Sequence, residues 1–416
     1  MLRRTSRLAV ALVAVVAGLS TLSWGGQAVA AAPSPLPSPS PWVAAWTGSP
    51  QQGDTGTPFF PPPETFQGQT VRQVVHPNAG GPAVRIRLSN LFGDQPLVVG
   101  HATVATRTTA SSVDPASARP VTFSGHAGVA IPAGRELLSD PVPYRLVSGR
   151  DLAVDLYLPV KTVGATRHAD ARTTSYVSTA GDHAGAAALP VGKTITSWYF
   201  LTDVQVVAPL STGIVAFGDS ITDGTGSTTD ANHRWPDYLD GALPARYAVA
   251  DEAIAGNRLL HDLIGPSAVS RFDRDVLSKP SVRYVVVLEG INDIGLPGSL
   301  GRTGEDVTVQ QIIGAYQQLI ARAKVRGVTV YAGTLTAVGG SGYDTPVNEG
   351  KRDAVNAWLR STAGKAGGFA KIVDFDALTR DPADPDRILP AYDSGDHLHP
   401  SDAGYAVMGK AAARLF

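Results

Sequence analysis

The feature that most constrains this chain is a change of hydrophobic period near Pro209. From Trp42 to about Pro209, apolar residues recur at every second position. Val84, Ile86 and Leu88 alternate with Arg85, Arg87 and Ser89, and Leu152, Val154, Leu156 and Leu158 repeat the pattern. Trp198, Phe200, Val204 and Val206 are expected on one face of a third strand. A period of two marks half-buried strands, and Gly/Pro clusters divide them. With no long helical period present, an antiparallel β-sandwich is the predicted architecture.

Beyond Pro209 short apolar runs alternate with helical segments. GIVAF (213–217), YAVAD (247–251), VRYVVVL (282–288), VTVYAGTL (328–335) and KIVDF (371–375) read as strands. The clearest helix runs from Val309 to about Arg326, where Ile312, Ile313, Tyr316, Leu319, Ile320 and Ala323 form one stripe and Gly327 is the stop. A last helix starts after Ser401, a good cap, and runs toward Leu415. Alternation of this kind predicts a parallel sheet covered on both faces, with ligands bound beyond the carboxyl ends of its strands. At 416 residues the chain exceeds the usual size of one hydrophobic core. Two domains are therefore expected, a β-sandwich over 42–209 and an α/β domain over 210–416.

Arg3, Arg4 and Arg7 precede an apolar run from Leu8 to about Leu22, followed by small residues ending Ala28-Val29-Ala30. A basic start, a short apolar stretch and an A-x-A site describe a secretory signal peptide over 1–30, with cleavage after Ala30. The run is shorter than the roughly 20 residues a membrane span needs, and Ser20, Thr21 and Ser23 break it. The arginine pair leaves Sec and Tat export both open. Residues 31–41 contain PSPLPSPSP, an extended spacer without a core of its own. A secreted, extracellular protein without stable membrane insertion is the expectation.

A net charge of −1 provides no basic footprint for nucleic acid. The absence of cysteine removes disulfides, thiol nucleophiles and Cys-ligated zinc together. Composition says nothing of oligomeric state.

Chemistry concentrates where the parallel strands end. GDSIT (218–222) closes the first, and a serine there can present its hydroxyl at the top of the sheet. GDS alone suits an ordinary turn equally well. It is not the G-x-S-x-G elbow, because Thr222 stands where the second glycine would be. Serine needs a base to become a nucleophile. DHLHP (396–400) supplies one: Asp396 lies three residues before His399, close enough to hold its imidazole N–H and fix the tautomer. The remaining histidines outside this block, among them His233 and His261, have no such setting and are read as surface or packing residues. His397 and His399 as a metal pair would lack a clear third ligand. Acyl transfer further needs donors for an oxyanion. AIAGN (253–257) follows the second parallel strand, and Gly256 permits close backbone approach. EGIND (289–293) follows the third and places Asn292 on the same rim.

The succession GDS, AGN, GIND and DHLH resembles the four blocks of the SGNH/GDSL hydrolases over residues 210–416. That resemblance implies a flavodoxin-like three-layer α/β/α fold. It implies Ser220 as nucleophile, His399 as base and Asp396 as its partner. The oxyanion hole would be formed by the Ser220 and Gly256 backbone N–H groups and the Asn292 amide. No metal and no cofactor are implied. A looser resemblance covers the whole chain: WVAAWTGSP (42–50), QTVRQVVH (69–76), VRIRLSNLFGDQPL (84–97) and EGINDIG are similar to secreted arylesterase/acylhydrolases. The expected substrate is a small-molecule or polysaccharide ester with a short acyl group, acetyl above all, on a carbohydrate or aryl alcohol. A lipase or phospholipase would share the triad. A non-catalytic carbohydrate-binding protein and a metal-dependent deacetylase are the rivals of other classes. Trp235 is expected to pack inward, Glu289 is left as either a buried structural carboxylate or a substrate contact, and Asp381–Asp386 is read as a solvated loop rather than a calcium site.

Overall fold

The computed structural model describes residues 40–416. The leader expected over 1–30 lies outside the described residues, as does the spacer over 31–41 except for its last two residues.

Residues 42–209 build two large antiparallel sheets. One is five-stranded, ordered Trp42–Thr47, Leu201–Val207, Gly81–Ser89, Glu136–Leu138, with Val142–Leu146 also paired to Gly81–Ser89. The other is seven-stranded, and Leu152–Leu158 lies in it between Gln69–Val75 and His101–Thr109. Val84, Ile86 and Leu88 from the first sheet share a core with Val71, Val154 and Leu156 from the second. The alternation in the sequence produces this directly, because every second side chain of a strand points to the same face.

Two strands depart from the expectation. Leu152–Leu158 is buried on both faces, not half-buried, and the second face carries an ion pair. Asp155 receives Arg72 through two hydrogen bonds of 2.7 Å, while the Thr103 hydroxyl and the Gly185 N–H donate to the same carboxylate. Arg72 gives two further N–H groups to the Ser111 and Ala186 carbonyls. Such a pair persists in a core only when each lone pair and proton is used, since desolvation otherwise outweighs the attraction. Second, Trp198 and Phe200 do not share a strand with Val204 and Val206. Phe200 has φ +63°, which breaks the extended run. Trp198–Tyr199 then pairs with Thr166–His168, and Leu201–Val207 joins the five-stranded sheet.

The remainder contains five parallel strands in the order Tyr247–Ala253, Thr212–Gly218, Val282–Leu288, Thr329–Gly333, Lys371–Val373. Numbered along the chain this is 2-1-3-4-5, the flavodoxin-like order, whose switch point lies between the first and third strands. Val285, Val286 and Val287 are all within 1% of full burial, so both faces of the central strands are covered. Helices Trp235–Ala242 and Asp402–Ala412 pack on each other, as do Val309–Val325 and Pro346–Thr362. Val309–Val325 opens with a capping box in which the Thr308 hydroxyl accepts the Gln311 N–H and the Gln311 side chain accepts the Thr308 N–H. Ile312, Tyr316, Leu319 and Ala323 form its buried stripe. The strand read at 371–375 stops at Val373, because the Asp374 side chain caps a new helix, Phe375–Thr379. The aspartate cluster is not a loop: Arg380–Asp381 and Asp384–Ile388 form a short antiparallel hairpin.

The described residues pack as one unit, and the two kinds of structure meet along Trp42–Thr47. Ala44 belongs to the core of the parallel half, whereas Ala248 of the second parallel strand belongs to the core of the antiparallel half. The Thr47 hydroxyl donates to the Asp251 carbonyl at 2.8 Å, and the Ser49 hydroxyl to Glu252 at 2.5 Å. Among the described residues no helix is long and apolar enough to cross a membrane.

Candidate active site

The site is assembled where the first three parallel strands end. After Gly218 the Asp219 carboxylate accepts the Ile221 N–H at 3.0 Å and caps the short helix Ser220–Asp223. Ser220 is the first residue of that helix, so its N–H has no intrahelical acceptor. Trp235 packs inward beneath this turn, fully buried, with its indole N–H on the Thr222 hydroxyl at 3.3 Å and its ring 5.6 Å from Phe375.

Residues 179 apart in sequence meet above it. His399 Nε2 lies 2.8 Å from Ser220 Oγ, and His399 Nδ1 lies 2.6 Å from Asp396. The other Asp396 oxygen accepts the N–H groups of Leu398 and His399 at 3.0 and 2.8 Å. Burial opposes the charge on Asp396, but the His399 hydrogen bond and these N–H groups outweigh it and hold the carboxyl far below the usual range. The carboxylate orients the imidazole with Nε2 facing the serine. His397 turns away and pairs with Asp393 at 2.5 Å, so the two histidines of this block serve different partners. Among the described residues no group of three or more His, Asp or Glu side chains is placed to hold a metal ion.

Gly256 and Asn292 complete the rim. Gly256 has φ +78°, a backbone conformation that favours glycine, and a Cβ there would lie 2.5 Å from Ile264 Cδ1 and push that side chain aside. Its N–H has no acceptor among the described residues. The Asn292 amide is fixed from both ends. Nδ2 donates to the Asn257 carbonyl at 2.8 Å, and Oδ1 accepts the Tyr343 hydroxyl at 2.8 Å. An amide nitrogen has two protons, so one remains for a ligand. Ser220, Gly256, Asn292 and His399 line one cavity of about 630 Å³. The arrangement brings together a hydroxyl, an imidazole with a carboxylate behind it, and three N–H groups free to meet an anion.

Several residues that the motifs did not reveal hold this rim. Arg271 is fully buried and makes six hydrogen bonds. They reach the Gly218 carbonyl after the first strand, the Glu252 carbonyl and Asn257 side chain around the second, and Glu289 after the third. Ser49 and Asp275 take the rest. Glu289 is thus a buried structural carboxylate, and burial, with the nearby Asp219 charge, pushes its carboxyl well up. Burial likewise pushes Asp219 up to about 7.

His168, from the antiparallel half, is also buried, which corrects its reading as a surface or packing histidine without a carboxylate. Its Nε2 lies 3.0 Å from Asp223 and its Nδ1 lies 3.2 Å from the Ser49 carbonyl. Two acceptors facing two ring nitrogens suit an imidazolium. Burial lowers the imidazole, but Asp223 more than offsets it and the value rises to about 9. Asp223 in turn accepts the Ala255 N–H at 2.8 Å, one residue before Gly256. His76, His101 and His233 likewise have carboxylate partners, Asp151, Asp182 and Asp402, nearer the surface. No motif signals these pairs, because their members lie far apart in sequence.

The flavodoxin-like sheet carries this constellation at its switch point. Residues 216–407 match the model of the GDSL-like lipase/acylhydrolase family, and that segment belongs to it. Solved structures similar to the chain include a member of the lipolytic G-D-S-L family from Veillonella parvula. It is 18% identical over 50% of this chain and 98% of that one, with a TM-score of 0.37. A GDSL-like lipase from Bacteroides thetaiotaomicron is 20% identical over 49% and 86%, with a TM-score of 0.37. A carbohydrate acetylesterase from Sinorhizobium meliloti is 16% identical over 49% and 98%, with a TM-score of 0.39. No curated protein matches the chain.

Proposed function

We propose that the protein is a secreted serine esterase that hydrolyses carboxylic esters through an acyl-enzyme on Ser220. The observation that carries the reading is the 2.8 Å contact between Ser220 Oγ and His399 Nε2, backed by Asp396. In this reading His399 takes the serine proton as Oγ attacks the carbonyl carbon, and ionised Asp396 stabilises the imidazolium. The negative charge that develops on the carbonyl oxygen meets the Ser220 N–H, the Gly256 N–H and the Asn292 amide. The tetrahedral intermediate collapses with cleavage of the ester C–O bond, and His399 returns its proton to the leaving alcohol. Water then attacks the acyl-serine by the same route and releases the acid. The chemistry needs no cofactor.

For substrate, a short acyl group on an aryl or carbohydrate alcohol is the favoured assignment. A lipase with longer acyl groups is the second reading, favoured by the apolar residues Ile264, Leu296 and Leu300 along the cavity. Export rests on the basic, apolar and A-x-A succession of residues 1–30. The test of the reaction is turnover of p-nitrophenyl esters from acetate to palmitate, with acetylated xylan as competitor. No turnover of any ester would sink the proposal, and a maximum at octanoate or longer would select the lipase. N-terminal sequencing of protein from the medium should begin at Ala31.

A further inference from the structure

One wall of the cavity over Ser220 comes from the antiparallel half. Phe59, Phe60 and Pro61 line it, facing the same space as Ile264, Leu296 and Leu300 of the parallel half. Phe59 is 48% exposed, one of few large apolar side chains left open to solvent. Burying such a ring against an apolar group is favourable, so an open ring beside the serine stands ready for an apolar partner.

The segment that carries these rings is tied down. Buried Arg167 donates to the Pro61 carbonyl at 2.7 Å. The Gly53 N–H binds the Ala165 carbonyl at 2.7 Å, and the Glu64 N–H binds the Tyr199 hydroxyl at 3.2 Å. Gln52 reaches across to the Leu263 carbonyl at 2.8 Å, on the loop that follows Gly256. The segment is therefore anchored on both sides of the two rings before a ligand arrives, and less of the binding energy is lost to ordering it. The cavity, about 630 Å³, also exceeds what an acetyl group fills.

We propose that Phe59 and Phe60 form the seat for an apolar group flanking the scissile ester, so that the antiparallel half determines which esters the site turns over. The inference rests on the esterase reading of Ser220. It does not require either ring to take part in bond making.

The test compares wild type with the double variant Phe59→Ala/Phe60→Ala and with Phe59→Leu/Phe60→Leu. The substrates are 1-naphthyl acetate, ethyl octanoate and methyl acetate, the last having no apolar group to seat. The alanine variant should lose on the order of tenfold in kcat/KM on the naphthyl ester, chiefly through KM, and change by about twofold or less on methyl acetate. The leucine variant should recover part of the loss. A loss confined to ethyl octanoate would keep the seat and assign it an alkyl chain. Equal losses on all three esters, or none on any, would overturn the seat while leaving Ser220 chemistry in place. Wild type that hydrolyses none of them and takes no fluorophosphonate label would instead overturn the esterase reading itself.

Discussion

The Tyr343 hydroxyl donates to the Asn292 amide oxygen at 2.8 Å, opposite the Asn257 carbonyl, whose need for a donor decides which end of that amide faces the serine. With Oδ1 held there and one Nδ2 proton on the Asn257 carbonyl, the other proton is presented without reorganisation. Tyr343→Phe should remove one of the amide's two anchors, loosen it and lower kcat by about three- to tenfold with little change in KM, the mark of a contact made mainly in the transition state. Asn292→Ala should cost more, on the order of 10²–10³ in kcat. Steady-state kinetics on p-nitrophenyl acetate decide it; equal rates for wild type and both variants would remove Asn292 from the reaction.

Ser220→Ala should reduce turnover on the order of 10⁴–10⁶-fold. A fluorophosphonate should label wild type and leave the variant untouched. Since the hydroxyl is small, the melting temperature should hardly move. Label on another serine would displace Ser220 from its role.

Arg271→Met should destabilise the protein by about 3–5 kcal/mol, because carboxylates and carbonyls that the guanidinium satisfied would be left buried without a donor. Urea denaturation measures it. A variant as stable as wild type would mean that water replaces the guanidinium, and that the three loops do not depend on it.

The His168–Asp223 pair sets a pH dependence of stability whose sign follows from its raised imidazole. The folded value of about 9 exceeds the reference 6.5, so the contribution is complete below 6.5 and disappears as pH rises through 9. A shift of this size corresponds to roughly 3 kcal/mol. Asp219, raised to about 7, acts in the same direction over a lower window, between its reference of 3.8 and 7. His168→Gln should narrow the gap between stability at pH 6 and at pH 9.5. A gap of equal size in the variant would show that the ring is not charged.

The parallel strands and the serine, histidine, aspartate, glycine and asparagine of the rim were legible because each leaves a local trace, whereas the flavodoxin-like arrangement came only with the resemblance that the four motif blocks carry. A strand has its period, and a strand end has its glycine or polar residue. What escaped is defined by contacts between distant segments. Arg271 draws on residues 49, 218, 252, 257, 275 and 289, and no window of sequence contains that set. Phe59 and Phe60 sit in a proline-rich stretch without period, so nothing distinguishes them from a loop. The burial of Asp155 depends on the segment that crosses over it, with Gly185 on its carboxylate, which alternation along Leu152–Leu158 cannot report. The left-handed Phe200 was hidden because an aromatic residue gives no warning of a positive φ.

The strand Trp42–Thr47 hydrogen-bonds into one sheet while its side chain at Ala44 fills the core of the other half. A cut near Pro209 would therefore separate residues that share a core. A recombinant piece beginning at residue 210 would lose Ala44 and the Thr47 and Ser49 hydroxyls, and would uncover the edge of the second parallel strand. Grafting this catalytic half onto another partner would require carrying residues 42–50 along with it.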